Sequence, residues 1–192
     1  MICSRVVSAC AVISRSLSAQ DTAELSFTDV PVPAANLLGE AARGMAYLKR
    51  NLTQERLSVT ATAAATVRRV LEETIAYTRD RIVFWQPLSS LQATRFTLAE
   101  LTTETEIAQT FTDRCVGELA AGRLTDSEAA MAKWWVTERR QHLVSRCLQL
   151  HGGYGYMTEH HIARDFVDTR ASTLFAGAAE IMKEIIGKSL LR

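Results

Sequence analysis

The stretch GMAYLKRNLTQERLSVTATAAATVRRVLEETIAYTRDR, residues 44–81, decides the fold class. Met45, Leu48, Leu52, Val59, Ala63, Val67 and Val70 recur at spacings of three, four and seven, the period of one helix face. A helix this long, ending near Arg81, needs partners to cover its apolar stripe. The sequence downstream supplies them. After Pro87 a second stripe runs through Leu91, Leu98, Leu101, Ala108, Cys115 and Leu119 and stops at Gly122. Thr125, Asp126 or Ser127 can cap a third helix, whose stripe is Ala132, Val136, Leu143, Cys147 and Leu150, and which Gly152 and Gly153 end. Shorter helices are expected over 158–168 and 176–191. Long amphipathic helices joined by short turns predict an all-α protein, an antiparallel four-helix bundle over residues 39–192.

Upstream, the reading changes. Residues 1–19 carry arginine and serine but no acid, without the three-part organisation of a secretory signal, and are read as an irregular leader with a heterogeneous or misassigned start. Thr22 to Val30 alternates like a strand and stops at Pro31 and Pro33. A single strand cannot satisfy its own hydrogen-bonding edges, so the strand within residues 1–38 implies a sheet that this chain does not otherwise encode.

Composition excludes several functions. The 192 residues carry 22 basic and 21 acidic side chains, a net charge of +1 without a basic block, so nucleic acid is not expected as a partner. Charges recur too often for a membrane span. The four cysteines form no Cys-x-x-Cys pair, and all are expected to be reduced and free of metal. Eighteen arginines against four lysines suggest a GC-rich genome and a bacterial cytoplasm, with the mitochondrial matrix as the alternative.

Two features could carry chemistry. Glu55 falls between Leu52 and Val59, so a carboxylate interrupts the apolar stripe of the first helix. Apolar surroundings raise a carboxyl pKa and suit it to take a proton from a weakly acidic carbon. Pairing with Arg56 or a base on a neighbouring helix is the commoner fate of such an acid, and pattern alone favours it. The segment QLHGGYGY, residues 149–156, places three glycines just past a helix end, where backbone amides could approach a ligand. A glycine cap followed by a turn explains it equally well.

Five segments in order are more specific than either feature: FTDVPVPAANLLGE (27–40), NLTQERL (51–57), RDRIVFWQPLSSLQ (79–92), QLHGGYGY (149–156) and FAGAAEIMKEIIG (175–187). Together they closely resemble the C-terminal half of the acyl-CoA dehydrogenases, over about residues 20–192. The resemblance implies FAD as cofactor, an acyl-CoA substrate, electron-transfer flavoprotein as acceptor, and a place in fatty-acid β-oxidation. It implies a homo-oligomer, dimer or tetramer, or a hetero-oligomer with a full-length acyl-CoA dehydrogenase. It also implies that the strand ending residues 1–38 is the remnant of the family's middle β-domain, and that about the first half of a family member lies outside this chain.

The family's base commonly sits at the position of Ala176, which cannot take a proton. In the long-chain and isovaleryl subgroups it sits at the position of Glu55. By resemblance Glu55 is therefore the candidate catalytic base, and Arg56 matches a residue directed towards coenzyme A or serves only an ion pair. Arg81 and Phe84 match an Arg-x-x-Phe element that meets the FAD of a neighbouring subunit, with Gln92 nearby. Gln149, Gly152 and Gly153 match a segment near the adenosine end of FAD, again across a subunit boundary. Trp85 replaces a usual glycine and Ala178 a usual threonine, while Glu180 sets an acid near the flavin. These departures keep a second reading open: a non-catalytic helical module that associates with full-length relatives.

Overall fold

The computed structural model describes residues 2–12 and 22–191 and divides into two compact units, one through Asn51 and one from Leu52. In the first unit, β1 (Ile2–Val12) pairs antiparallel with β2 (Thr22–Val32), Ile2 facing Val32 and Val12 facing Thr22. This corrects the sequence reading on one point: β2 is not alone, and the leader is strand over Ile2–Val12. The pairing was hidden because register shifts interrupt it between Ile2 and Ser4 and between Val6 and Ala9, so no steady alternation marks β1. The side chains of Cys3 and Cys10 lie outside the described residues.

From Gly44 the chain becomes helical. Helix α1 (Gly44–Asp80) is followed by a two-residue ladder, β3 (Ile82–Val83) with β4 (Gln86–Pro87), then α2 (Gln92–Ala120), α3 (Asp126–His151), α4 (His161–Ser172) and α5 (Ala179–Leu190). Three apolar layers join α1, α2 and α3. Leu57 packs with Cys115 and Ala132, Ala63 and Ala64 pack with Ala108 and Val136, and Val67, Val70 and Leu71 pack with Leu101, Leu143, Val144 and Cys147. Numbers rise along α1 and α3 while they fall along α2, so α2 runs against both. Ser127 meets Ser189 at 2.8 Å and Glu138 pairs with Lys183 at 3.8 Å, so α5 returns antiparallel to α3. The expected antiparallel four-helix bundle is thereby formed, with α4 as the connecting piece.

Threonine is a poor interior helix residue, yet Thr60, Thr74, Thr105, Thr112 and Thr137 are buried. Each donates its hydroxyl to the carbonyl four residues earlier, at 2.7–2.8 Å, which removes the penalty of an unpaired buried group. Helix α3 starts as expected at Thr125, where the threonine hydroxyl accepts from the Glu128 amide and the Glu128 carboxylate accepts from the Thr125 amide. It ends at Gly152, whose φ of 61° suits glycine. The C-terminal helices begin later than expected. Ala176 and Gly177 adopt φ of 54° and 101°, left-handed values that no helix can continue, so α5 starts only at Ala179.

No helix among the described residues is long and apolar enough to cross a membrane. Cys115 and Cys147 are buried and free, and burial pushes the Cys147 thiol up to about 11.

Candidate functional site

The sequence-predicted residues fall into two groups on unit two. The first lies near the start of α1. Glu55 is exposed there, and the buried residues of that turn are Arg56, Leu57 and Thr60. This corrects the expectation that Glu55 interrupts the core-facing stripe. At 3.6 residues per turn Glu55 and Val59 each stand about 160° round the helix from buried Leu57, so Glu55 is exposed and Val59 only half-buried, and Met45 and Leu48 further along are exposed as well. Glu55 forms no ion pair among the described residues, so the salt bridge that pattern alone favoured is also absent.

Arg56 is only 7% exposed and its Nε has no hydrogen-bond partner. Its neighbour in charge is Lys133 of α3, which sequence reading missed. Lys133 is fully buried and donates from Nζ to the carbonyls of Thr173 (3.2 Å) and Gly177 (2.6 Å). Burial, then the Arg56 charge, push the Lys133 ammonium down to about 8, against the opposite pull of Glu180. A signal was available: Ala129, Lys133 and Thr137, four apart, form one buried row, and a lysine in such a row must serve a purpose other than solvation.

The second group gathers where α1 ends. The Arg81 guanidinium lies 5.3 Å from the centroid of the Tyr154 ring, which joins the end of α1 to the glycine segment after α3. Tyr77, Asp80, Arg81, Tyr154 and His160 line an open cleft of about 300 Å³. Gln149, Gly152 and Gly153 are exposed beside it in sequence, and Phe84 is 84% exposed in the turn of the short ladder. Phe84 and Trp85 both take left-handed φ, 48° and 66°. A two-residue hairpin turn of this hand requires that of both central residues and favours glycine, which is the physical reason a glycine suits the position of Trp85. Gln92 is the first residue of α2, exposed on the far side of that turn. Tyr77, His151, Tyr154 and His160 complete the group and were not singled out from sequence.

The two groups do not meet within one chain. Arg56 and Asp80 are 24 positions apart on one helix, roughly 36 Å at 1.5 Å per residue.

The helical bundle carries both groups, and its family is shown by comparison with known proteins. Residues 42–191 match the family model for the acyl-CoA dehydrogenase C-terminal domain, and the chain belongs to the acyl-CoA dehydrogenase family. It is 41% identical over 175 residues to the mitochondrial long-chain specific acyl-CoA dehydrogenase of Rattus norvegicus, an alignment covering 91% of this chain and 41% of that protein. It is 29% identical over 171 residues to a caffeyl-CoA reductase-Etf complex subunit of Acetobacterium woodii, covering 89% and 45%. Among solved structures, an acyl-CoA dehydrogenase from Geobacillus kaustophilus superimposes with a TM-score of 0.91 at 42% identity, over 95% of this chain and 48% of that one. The chain thus spans less than half the length of the relatives it matches. The family's members are FAD-dependent flavoproteins.

Proposed function

We propose that this chain supplies the helical half of an FAD-dependent acyl-CoA dehydrogenase, converting an acyl-CoA to a trans-2-enoyl-CoA within an assembly that includes the remaining domains. The observation that carries this reading is the separation of the two residue groups by the length of α1, together with a family match along nearly the whole bundle. One copy would offer Glu55 and Arg56 to the substrate, while a second copy would offer Arg81, Phe84, Gln92, Gln149, Gly152 and Gly153 to the cofactor.

The residues of the second group fit part of a flavin dinucleotide. Arg81 is exposed and, among the described residues, its guanidinium forms no ion pair, so its planar fork is available to phosphate oxygens. Phe84 presents an open ring, and the glycines leave room for close approach to the backbone. Bound flavin supplies the hydride acceptor for the substrate β-carbon. Glu55 takes the α-proton on its carboxylate. Neighbouring domains would cover Glu55, exclude water and give it the apolar surroundings that favour proton uptake. Arg56 directs its positive charge towards the coenzyme A moiety.

Association is part of the reading. Phe84, Trp85, Tyr156, Ile181, Leu190 and Leu191 are exposed, an amount of apolar surface that calls for a partner, whether a second copy or a full-length relative. Electron-transfer flavoprotein is the proposed acceptor. Trp85 and Ala178 favour a second reading, a non-catalytic bundle that oligomerises with full-length relatives, because each alters a cofactor-facing position.

Co-production with the missing domains, or with a full-length relative, tests the choice. A yellow complex after gel filtration that reduces an electron acceptor with acyl-CoA supports the enzyme. A stable complex without flavin absorbance from this chain's sites, and without turnover, supports the module. The chain purified alone is expected to carry little or no FAD.

A further inference from the structure

A lysine at the centre of a helical bundle is expensive to bury, and a methionine would fill the same space without a charge. Lys133 nevertheless sits fully enclosed, without a carboxylate among the described residues in hydrogen-bonding contact. What it touches explains its retention. Between α4 and α5 the chain turns through Thr173–Ala178. The amides of Leu174 and Phe175 both bond to the Ala171 carbonyl, at 3.0 and 3.2 Å, and then Ala176 and Gly177 enter the left-handed region.

That reversal takes the carbonyls of Thr173 and Gly177 out of any helical ladder and turns them towards α3. Without Lys133 the buried Thr173 carbonyl and the partly buried Gly177 carbonyl would each lose this donor. Ala176 has no glycine-like freedom and holds φ of 54° at a cost of about 1 kcal/mol, so the turn persists only if its surroundings impose it. A Cβ added at Gly177 would lie 2.6 Å from Met182 Cε, which shows how closely the turn is packed on α5.

We propose that Lys133 is a positioning residue: its ammonium bridges the Thr173 and Gly177 carbonyls and holds the strained turn in place against α3. On the acyl-CoA dehydrogenase reading proposed above, the turn so held would border the site of Glu55 and Arg56. The purpose assigned to the turn rests on the acyl-CoA dehydrogenase reading, whereas the clamp itself does not.

Amide hydrogen exchange on the 192-residue chain reads the clamp directly. Lys133→Met is close in length and leaves a small void. In that variant the Leu174 and Phe175 amides should exchange about tenfold faster or more, the scale of a lost charge-assisted hydrogen bond. The amides of Val136, Leu143 and Val144 should keep their protection, and chymotrypsin should cleave after Phe175 sooner. Lys133→Arg, which keeps charge and donors, should recover much of the protection. Unchanged exchange at Leu174 and Phe175 overturns the proposal, as does loosening spread evenly through α3, or an arginine variant as loose as the methionine one. If Lys133→Met does not fold, Lys133→Gln replaces it, since its amide stops short of Gly177 and the same local loosening is expected. In the complete assembly Lys133→Met should also lower turnover by about tenfold. A loosened turn with undiminished turnover would overturn the role in the site while leaving the clamp, and an inactive wild-type assembly would count against the dehydrogenase reading alone.

Discussion

The ring of Tyr77 lies flat on that of His151, centroids 4.1 Å apart with 14° between the planes, and the Tyr77 hydroxyl donates to the His151 carbonyl at 3.2 Å. His151 is buried at the end of α3, with Nε2 3.3 Å from the Thr74 hydroxyl and Nδ1 without a partner. Burial first, and the charge of His160 second, hold its pKa below the ordinary 6.5, against the pull of Glu73. Unfolding therefore binds a proton where the folded protein does not, so His151 contributes stability that is present above about pH 6.5 and is lost as pH falls through its lower folded value. Urea denaturation at pH 7 and pH 5 should show the wild type losing more stability than His151→Asn. Parallel losses in the two proteins would mean that His151 is not buried in its neutral form.

Glu55 is the proposed base, and in a complete assembly Glu55→Gln keeps its size but removes its basicity. Turnover of acyl-CoA should fall by about 10²–10⁴-fold with substrate binding largely kept. Adding Ala176→Glu should restore part of it, because both positions serve as base locations in the family. Steady-state kinetics of the three proteins decides, and near-normal turnover in the single variant would remove Glu55 from the mechanism.

Trp85 is 100% exposed with φ of 66°, so its side chain gains no burial in this chain while its backbone is strained. A left-handed residue with a Cβ is disfavoured by about 1–2 kcal/mol, and glycine returns roughly half of that through its freer unfolded chain. Trp85→Gly should therefore stabilise the isolated protein by about 0.5 kcal/mol in denaturant titration. If the tryptophan serves a partner, the same change should weaken association in light scattering. Loss of stability in the isolated chain would show that Trp85 makes contacts which its exposure denies.

Thr125 and Glu128 satisfy each other's amides at the start of α3, and Arg114 pairs with Glu128 at 3.1 Å. Removing the cap with Thr125→Ala should cost about 1 kcal/mol, a fall in Tm of about 2–4 °C for a protein of this size. Thr125→Ser should keep most of it. A thermal melt in which Ala and Ser behave alike would assign the loss to packing of the methyl group instead.

Read alone, the chain determined its helices, because residues spaced three and four apart report local burial directly: Leu101, Ala108 and Cys115, or Ala132, Val136, Leu143 and Cys147, lie on the stripes their spacing predicts. The cap at Thr125 and the stop at Gly152 were legible for the same reason, since each depends on a few consecutive residues. The family was legible because its motifs are continuous segments. Tertiary structure alone decided which side of α1 faces inward, since the packing of Leu57, Ala64 and Leu71 on α2 and α3 selects one arc of a broad apolar face and leaves Glu55 exposed and Arg56 buried. It alone decided that β1 joins β2, because bulges erase the alternation that would announce a strand. It alone brought Lys133 to the carbonyls of Thr173 and Gly177 and Arg81 to Tyr154, contacts between residues 40 to 73 positions apart that no local period encodes.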